Sequence, residues 1–128
     1  MDLLPKVSSK EITFSHNDIK ENNIIISHDE NNDYKAIFID FEYAALNYRA
    51  YDLADYVNEC IIDYSVRKNP KVKIHSDQII GFDEGEEGDR IAEIYLRRYY
   101  KVHQKIEDEE TIKKLVAEEK TKFKEEIM

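Results

Sequence analysis

The chain has 128 residues, of which 41% are hydrophobic, and its formal net charge is -9 at pH 7. This size suits one domain with a modest core, and the negative charge argues against a nucleic-acid-binding surface, which needs a basic patch. We find no apolar run long enough to cross a membrane and expect no secretory signal. A single cysteine, Cys60, excludes an internal disulfide. It predicts a buried thiol in a reducing, cytoplasmic setting.

The first predicted elements are a short strand and a β-hairpin. The β-branched and aromatic residues 12–14 predict the strand. Two further predicted strands, residues 23–26 and 35–39, flank polar residues typical of a hairpin tip at 30–33. This hairpin would bring Asn23, at the start of one strand, close to Asp40, just after the other.

The polar loop before the hairpin has the spacing of a phosphoryl-transfer site. Such a site needs an aspartate to accept a hydroxyl proton, an asparagine five positions later and a second aspartate for magnesium. Asp18, Asn23 and Asp40 occur in this order. Two protein ligands suffice because phosphate oxygens and water complete the magnesium octahedron. The His16-x-Asp18 pattern alone recurs by chance in turns, whereas the whole combination indicates a kinase-type site.

Two segments resemble the signature motifs of choline and ethanolamine kinases. Residues 16–24, HNDIKENNI, are similar to the phosphotransferase motif, and residues 39–52, IDFEYAALNYRAYD, resemble the second signature segment. The resemblance is clear over residues 12–64 and diffuse beyond them. It implies a protein-kinase-like fold, ATP with Mg²⁺ as phosphoryl donor, and the hydroxyl of choline or ethanolamine as acceptor.

The resemblance also implies the roles of individual residues. Asp18 would be the catalytic base, and Asn23 and Asp40 the magnesium ligands. An amine pocket would hold the substrate ammonium by aromatic faces and negative charge, and its candidates are Tyr43, Glu59 and Tyr64. Ordinary packing of the tyrosines and a solvated Glu59 stay open as alternatives.

Four further residues are predicted to support this site. His16 would anchor the loop backbone rather than shuttle protons, because Asp18 already fills the role of base. Glu42 would lie near the metals or brace the loop. Arg49, in a predicted turn over residues 47–49, would pair with a nearby carboxylate. Asp52 would be a helix N-cap, at the start of an acidic helix face that is most simply solvated.

Apolar spacing predicts three helices in the rest of the chain. Residues recurring every three to four positions from Leu53 to Tyr64 predict a helix within residues 49–66. The polar segment 67–89 contains all three glycines and predicts a loop. Residues 90–128 predict two more helices. Aromatic side chains of the first of these are expected in a core or at its rim: Tyr95, Tyr99 and Tyr100.

Together these elements predict an α+β fold, the C-terminal lobe of a protein-kinase-like fold, in which short hairpins carry the site and about three helices follow. Residues 1–128 would be one partial domain without an N-terminal lobe, with the catalytic and metal loops within residues 1–48. No glycine-rich loop precedes His16, and the chain has no tryptophan to complete an aromatic amine cage.

We therefore expect an incomplete enzyme that is inactive alone. Its exposed apolar faces would lead to a homo-oligomer or to a dimer with an exchanged helix. An aminoglycoside-phosphotransferase-like kinase is an alternative that shares the spacing of Asp18 and Asn23 but not the continuation through Glu42-Tyr43 and residues 47–49. A noncatalytic kinase-like binding module is a second alternative. Choline and ethanolamine both fit the residues present.

Overall fold

The computed structural model describes residues 11–69 and 72–128. Residues 1–10 of the predicted catalytic segment, and Pro70 of the predicted loop, lie outside this description. The chain divides into two compact units, Met1–Ile74 and His75–Met128. The described elements of the first unit are β1 (Ile12–Ser15), β2 (Ile24–His28), β3 (Tyr34–Phe38), β4 (Ala45–Tyr48), α1 (Tyr51–Glu59), β5 (Ile62–Asp63) and β6 (Lys73–Ile74). The second unit contains α2 (Glu87–Val102) and α3 (Glu109–Ile127).

The strands form three antiparallel pairs, β1 with β4, β2 with β3 and β5 with β6. The predicted hairpin is confirmed, with Ile24 opposite Phe38. Its tip is stabilised by the Asp29 carboxylate, which accepts hydrogen bonds from the backbone N–H groups of Asn31 and Asp33 at 2.8 and 3.0 Å. Such side-chain to backbone bonds are typical of turns that begin with aspartate.

The strand β4 was not predicted, because the sequence indicated a turn over residues 47–49. Phe14 of β1 lies opposite Leu46, and Thr13 lies opposite Asn47. Ala45 and Asn47 have weak strand propensity, so this strand depends on a partner 30 or more residues earlier. Local pattern carries no signal for such pairing.

The helix α1 is shorter than the predicted segment 49–66. It ends at Glu59, and Ile62 then pairs with Ile74 across β5 and β6. Two β-branched residues in succession favour the extended backbone there. Tyr64 therefore lies beyond the helix, and Cys60 is exposed rather than buried, which corrects both predictions.

The second unit is a pair of helices packed through apolar side chains. The predicted loop over 67–89 is also too long, because β6 lies within it and α2 begins at Glu87. Tyr99 and Tyr100 are buried, as predicted, and Tyr95 stacks on Phe123 with ring centroids 5.0 Å apart. The other buried apolar residues of this unit are Ala92, Leu96, Ile112, Val116 and Ile127.

A buried carboxylate also joins the two helices of this unit. Asp89, in the first turn of α2, accepts hydrogen bonds from Lys124 Nζ at 2.8 Å and Lys120 Nζ at 3.1 Å. The bond from Lys124 is the main cause that lowers the pKa of Asp89 to about 2, against the opposing effect of burial. Among the helices of residues 11–69 and 72–128, none has the length and apolar character needed to cross a membrane.

Candidate active site

The loop after β1 is closed by a hydrogen bond between the predicted base and a predicted metal ligand. Asn23 Nδ2 donates to Asp18 Oδ2 at 2.9 Å and to the Asp18 carbonyl oxygen at 3.0 Å. A short 3-10 turn over Glu21–Asn23 places Asn23 there, and its N–H donates to the Lys20 carbonyl oxygen. The five-residue spacing thus allows the two side chains to meet, and Asn23 is buried.

The hairpin brings Asp40 to the same place. The ladder between β2 and β3 continues for one more bond, in which the Ile39 N–H donates to the Asn23 carbonyl oxygen at 3.0 Å. Asp40 comes next, with a φ of 63°, in the left-handed region that aspartate tolerates better than most residues. Asp40 is exposed. The structure therefore places Asp18, Asn23 and Asp40 in one neighbourhood, as the sequence predicted.

His16 joins the loop to the end of β3. Its ring is buried and lies against Phe41, with the ring centroids 4.6 Å apart. The distance from Nε2 to the Ile39 carbonyl oxygen is 2.8 Å, so this nitrogen carries the proton and donates. This bond ties His16 to the residue before Asp40. The anchoring of the loop backbone by His16 stays a prediction.

Two carboxylates of α1 hold the backbone of the loop. The N–H groups of His16 and Asn17 donate to the two oxygens of Asp52 at 2.7 and 2.8 Å, and the Ile19 N–H donates to Asp55 at 2.7 Å. Charge-assisted bonds of this kind are stronger than neutral ones. Together they hold the backbone on both sides of Asp18.

The prediction that Asp52 is a helix N-cap is wrong. The N-cap position is Ala50, which makes no side-chain cap bond, and Asp52 lies inside the first turn. Its oxygens bind the loop amides instead of the amides of its own helix. Asp55 likewise accepts from the loop, although the sequence indicated a solvated charge. Spacing along α1 places both residues on one face, but it carries no information about which segment packs against that face.

The second motif is joined to the loop through Asn17. Asn17 Nδ2 donates to the Tyr43 carbonyl oxygen at 2.8 Å, and its Oδ1 accepts from Asn47 Nδ2 at 2.9 Å. Asn17 has a φ of 66°, a left-handed conformation in which asparagine is enriched. The two sequence motifs thus form one hydrogen-bonded structure, and each supports the conformation of the other.

Lys20 is a site residue that the sequence analysis missed. Its Nζ lies 2.7 Å from Asp18 Oδ2. This bond is the main cause that holds the pKa of Asp18 below its ordinary value, against partial burial, and Asn23 adds to it. The same bond raises the pKa of Lys20, to which the charges of Asp40 and Glu59 also contribute. Asp18 is therefore a carboxylate at neutral pH, which a general base must be.

The predicted amine-binding residues are only partly brought together. The Tyr64 hydroxyl donates to Glu59 Oε1 at 2.8 Å, and this bond is the main cause that raises the pKa of Tyr64. Tyr43 and Tyr64 are each 61% exposed. In residues 11–69 and 72–128, no hydrogen bond or ring contact joins Tyr43 to the other two. Glu59 and Tyr64 form a pair, and Tyr43 lies apart from it.

The two remaining supporting residues differ in environment. Arg49 is buried, and its backbone N–H donates to the Glu11 carbonyl oxygen at 2.8 Å. Glu42 is exposed in a turn closed by a bond from the Ala44 N–H to the Phe41 carbonyl oxygen at 3.0 Å. Within the described part of the chain Glu42 makes no hydrogen bond or ion pair. Bracing of the loop by Glu42 is therefore not seen, and proximity to a metal stays a prediction.

The donor atoms at this site fit a magnesium ion. The Asn23 side chain uses its nitrogen to bind Asp18, and no described residue donates to its oxygen, so that oxygen is left available to a metal ion. The Asp40 carboxylate likewise accepts no hydrogen bond from the described residues. Magnesium favours such oxygen ligands and needs few of them. No group of three or more His, Cys, Asp or Glu residues that would suit a metal occurs in the described ranges, and a two-ligand site does not require one.

The closed loop, the aspartate after β3 and the α+β fold define a kinase-type site on the C-terminal lobe of a kinase-like fold. The sequence profile of choline/ethanolamine kinases matches residues 1–125. The chain belongs to the choline/ethanolamine kinase family, which confirms the resemblance of its two motifs.

Individual relatives agree with this assignment. "Choline kinase A2" of Caenorhabditis elegans is 31% identical in an alignment 114 residues long, and the match covers 70% of this chain and 25% of that protein. The "Choline/ethanolamine kinase" of Rattus norvegicus is 36% identical over 62 residues, or 48% of this chain and 16% of the relative. A crystal structure of choline kinase from Cryptosporidium parvum matches with a TM-score of 0.52 and 27% identity, over 74% of this chain and 23% of that one. The chain thus spans a quarter or less of the length of these proteins.

Proposed function

We propose that this chain carries the catalytic loops of a kinase that transfers the γ-phosphoryl group of ATP to the hydroxyl group of choline or ethanolamine, a step of phospholipid head-group synthesis. The observation that supports this most is the meeting of three residues. Asp18 is hydrogen-bonded to Asn23 at 2.9 Å, and the backbone of Asn23 binds that of Ile39, directly before Asp40. In this proposal a single small site would supply a base and two magnesium ligands.

In this proposal Asp18 accepts the proton of the substrate hydroxyl. Its lowered pKa keeps it ionised, and the amides held by Asp52 and Asp55 fix its backbone. Asn23 and Asp40 would hold Mg²⁺, whose charge offsets that of the phosphate oxygens. Little covalent chemistry is required of the protein, so position and charge supply most of the catalysis.

The substrate ammonium would bind at the pair formed by Glu59 and Tyr64. A quaternary ammonium donates no hydrogen bonds, so an aromatic face and a carboxylate suit it, and the primary ammonium of ethanolamine would bind the same carboxylate directly. The Tyr64 hydroxyl is fixed by Glu59, which reduces the freedom lost on binding. Tyr43 would contribute a further aromatic surface. A cytoplasmic location remains part of this proposal, since an exposed free thiol at Cys60 suits a reducing compartment.

The second motif favours this acceptor over an aminoglycoside. Asn17 binds both Tyr43 and Asn47 through its side chain. The second motif therefore helps to build the loop that carries Asp18, and Tyr43 and Asn47 belong to the parts of it that an aminoglycoside-type kinase would not share.

The test is ADP formation by the full-length gene product, with choline and ethanolamine compared in parallel. Asp18→Asn keeps the shape of the side chain and removes the base, so we expect a fall in kcat of about 100-fold or more. Asp33→Asn, an exposed change at the hairpin tip, is the matched control and should keep full activity. Turnover of ethanolamine alone would change only the preferred acceptor. No amine-dependent ADP from the wild type, or full activity of Asp18→Asn, would refute the proposal.

A further inference from the structure

The ammonium group of Lys20 lies in an acidic environment. It contacts Asp18 at 2.7 Å, and the charges of Asp40 and Glu59 also act on it. The ammonium group is thus in contact with the proposed base. It also interacts electrostatically with the proposed metal ligand Asp40 and with the proposed amine-binding carboxylate of Glu59. The side chain is 40% exposed. Its only described hydrogen bond is the one to Asp18, so it is free to bind a ligand in place of that contact.

We propose that Lys20 is a catalytic residue that binds the oxygens of the phosphoryl group during its transfer, an inference that rests on the function proposed above. In the step itself, the acceptor hydroxyl oxygen forms a bond to the γ-phosphorus, and its proton passes to the Asp18 carboxylate. The bond from the γ-phosphorus to the bridging oxygen breaks, and ADP leaves with that electron pair. Lys20 keeps its proton throughout and neutralises the phosphoryl oxygens.

The short distance between Lys20 Nζ and the Asp18 carboxylate supports a role of Lys20 in binding the phosphoryl group. A base contacts the oxygen that it deprotonates at about 2.6–3.2 Å, and the attacking oxygen lies about 3–3.5 Å from the phosphorus when the reaction begins. The Lys20 ammonium is 2.7 Å from the same carboxylate. The phosphoryl oxygens therefore come within reach of Lys20 by a rotation of its flexible stem, without a change in the backbone.

The negative charge of the residues around Lys20 also supports this role. The carboxylates of Asp18, Asp40 and Glu59 act on Lys20, and their negative potential would repel a triphosphate. Mg²⁺ at Asn23 and Asp40 offsets part of it. A cation at Lys20 is placed on the side of the base, where the phosphoryl group arrives. Fixed cations that face a transferring phosphoryl group are an established source of transition-state stabilisation.

The test compares binding of Mg·ADP with binding of Mg·ADP plus aluminium fluoride, a mimic of the transferring phosphoryl group, to the full-length gene product by calorimetry. We expect Lys20→Met to bind Mg·ADP like the wild type and to lose about 30-fold or more in affinity for the fluoride complex. Lys20→Arg keeps the charge and should retain most of that affinity. The matched control is Lys35→Met, which changes an exposed lysine on β3. It should alter neither the affinity for Mg·ADP nor the affinity for the fluoride complex. In turnover, Lys20→Met should lower kcat about 100-fold with little change in the KM for ATP.

The outcomes separate this inference from the proposed function. Equal binding of the fluoride complex by the wild type and Lys20→Met would make Lys20 a counter-ion of Asp18 only, and would overturn the inference. The inference would also be overturned if aluminium fluoride did not increase the affinity of the wild type for Mg·ADP. It would be overturned as well if Lys20→Met lost as much affinity for Mg·ADP alone as for the fluoride complex. A different result is a wild type that phosphorylates neither amine while Lys20→Met still loses affinity for the fluoride complex alone. That result would support the role of Lys20 in binding the phosphoryl group and would reject choline and ethanolamine as acceptors.

Discussion

The interior of the first unit is mostly polar, whereas the interior of the second unit is mostly apolar. In the first unit the described buried residues are mostly polar: Ser15, His16, Asn23 and Arg49, with Ile19 and Ala50 beside them. In the second unit eight of the nine buried residues outside glycine are apolar, and Asp89 is the exception. Apolar burial is tolerant of shape, whereas buried hydrogen bonds are specific in direction. Changes in the first unit should therefore affect the chemistry of the site, and changes in the second should affect stability.

The largest effect on stability is expected at Phe123. This ring is fully buried and stacks on Tyr95. Phe123→Ala should lower the free energy of unfolding of the second unit by about 3–5 kcal/mol, through lost burial and the cavity that remains. Urea denaturation followed by circular dichroism measures it, with Ile94→Ala, a change at an exposed residue of α2, as control. A loss below 1 kcal/mol would contradict an apolar core at this position.

A substitution of Asp52 is expected to lower activity, because the polar contacts of the first unit hold the site. Asp52→Asn replaces one acceptor oxygen by an NH₂ group that faces the N–H of His16 or Asn17. We expect kcat to fall about 100-fold because the backbone that carries Asp18 is displaced, together with a loss of about 1–3 kcal/mol in stability. Steady-state kinetics of the full-length gene product should show this, with Glu30→Gln at the exposed hairpin tip unchanged. Unaltered kcat in Asp52→Asn would show that the loop does not need its carboxylate brace.

Acid should weaken the second unit through Asp89. Its folded-state pKa is about 2 and its unfolded value is about 3.9, so its contribution, on the order of 2 kcal/mol, is present above pH 4 and lost as the pH falls toward 2. The groups that face it are Lys120 and Lys124, with Glu93 bonded to Lys120. Thermal unfolding of the wild type and Asp89→Asn between pH 2 and 7 measures this contribution. The difference between them should shrink as the pH falls, and a constant difference would contradict the assignment.

A smaller effect is expected in self-association of the 128-residue chain. Large apolar side chains of the strands are exposed, among them Leu46 at 74% and Phe14 at 65%. We propose that these faces bind one another in solution. Sedimentation velocity should show dimers or larger species that decrease several-fold in Leu46→Asn, whereas Val102→Asn on α2 should change them less. A clean monomer over a wide range of concentration would refute this proposal.

The site was predictable where its signal is local. Asp18, Asn23 and Asp40 follow from spacing and from a hairpin whose strands and tip lie within 20 residues. The end of α1 was missed because the apolar pattern continues through Ile61 and Ile62 into β5, and pairing with β6 decides the conformation there. Periodicity does not distinguish the end of a helix from the start of a strand when the residues are β-branched.

The contacts that hold the site were not predictable. Asp52 and Asp55 accept from amides about 36 positions earlier, and no pattern along α1 shows which backbone it meets. Lys20 gives no signal in the sequence, because a lysine two positions after an aspartate has the pattern of an ordinary solvated charge. Only the three-dimensional structure shows that its ammonium binds Asp18, the proposed base. Long-range polar contacts of this kind lie outside what composition and spacing encode.

The measurement that tests the central claim most directly is mass spectrometry of the phosphorylated amine made by the full-length gene product as Mg²⁺ is varied, compared between wild type and Asp40→Asn. We predict that the wild type forms phosphocholine or phosphoethanolamine. We also predict that Asp40→Asn needs at least about tenfold more Mg²⁺ for half-maximal rate, because one of its two proposed ligands has lost its charge. Product formation with the same Mg²⁺ dependence in both proteins, or no product from the wild type, would contradict a magnesium-dependent amine kinase built on Asp18, Asn23 and Asp40.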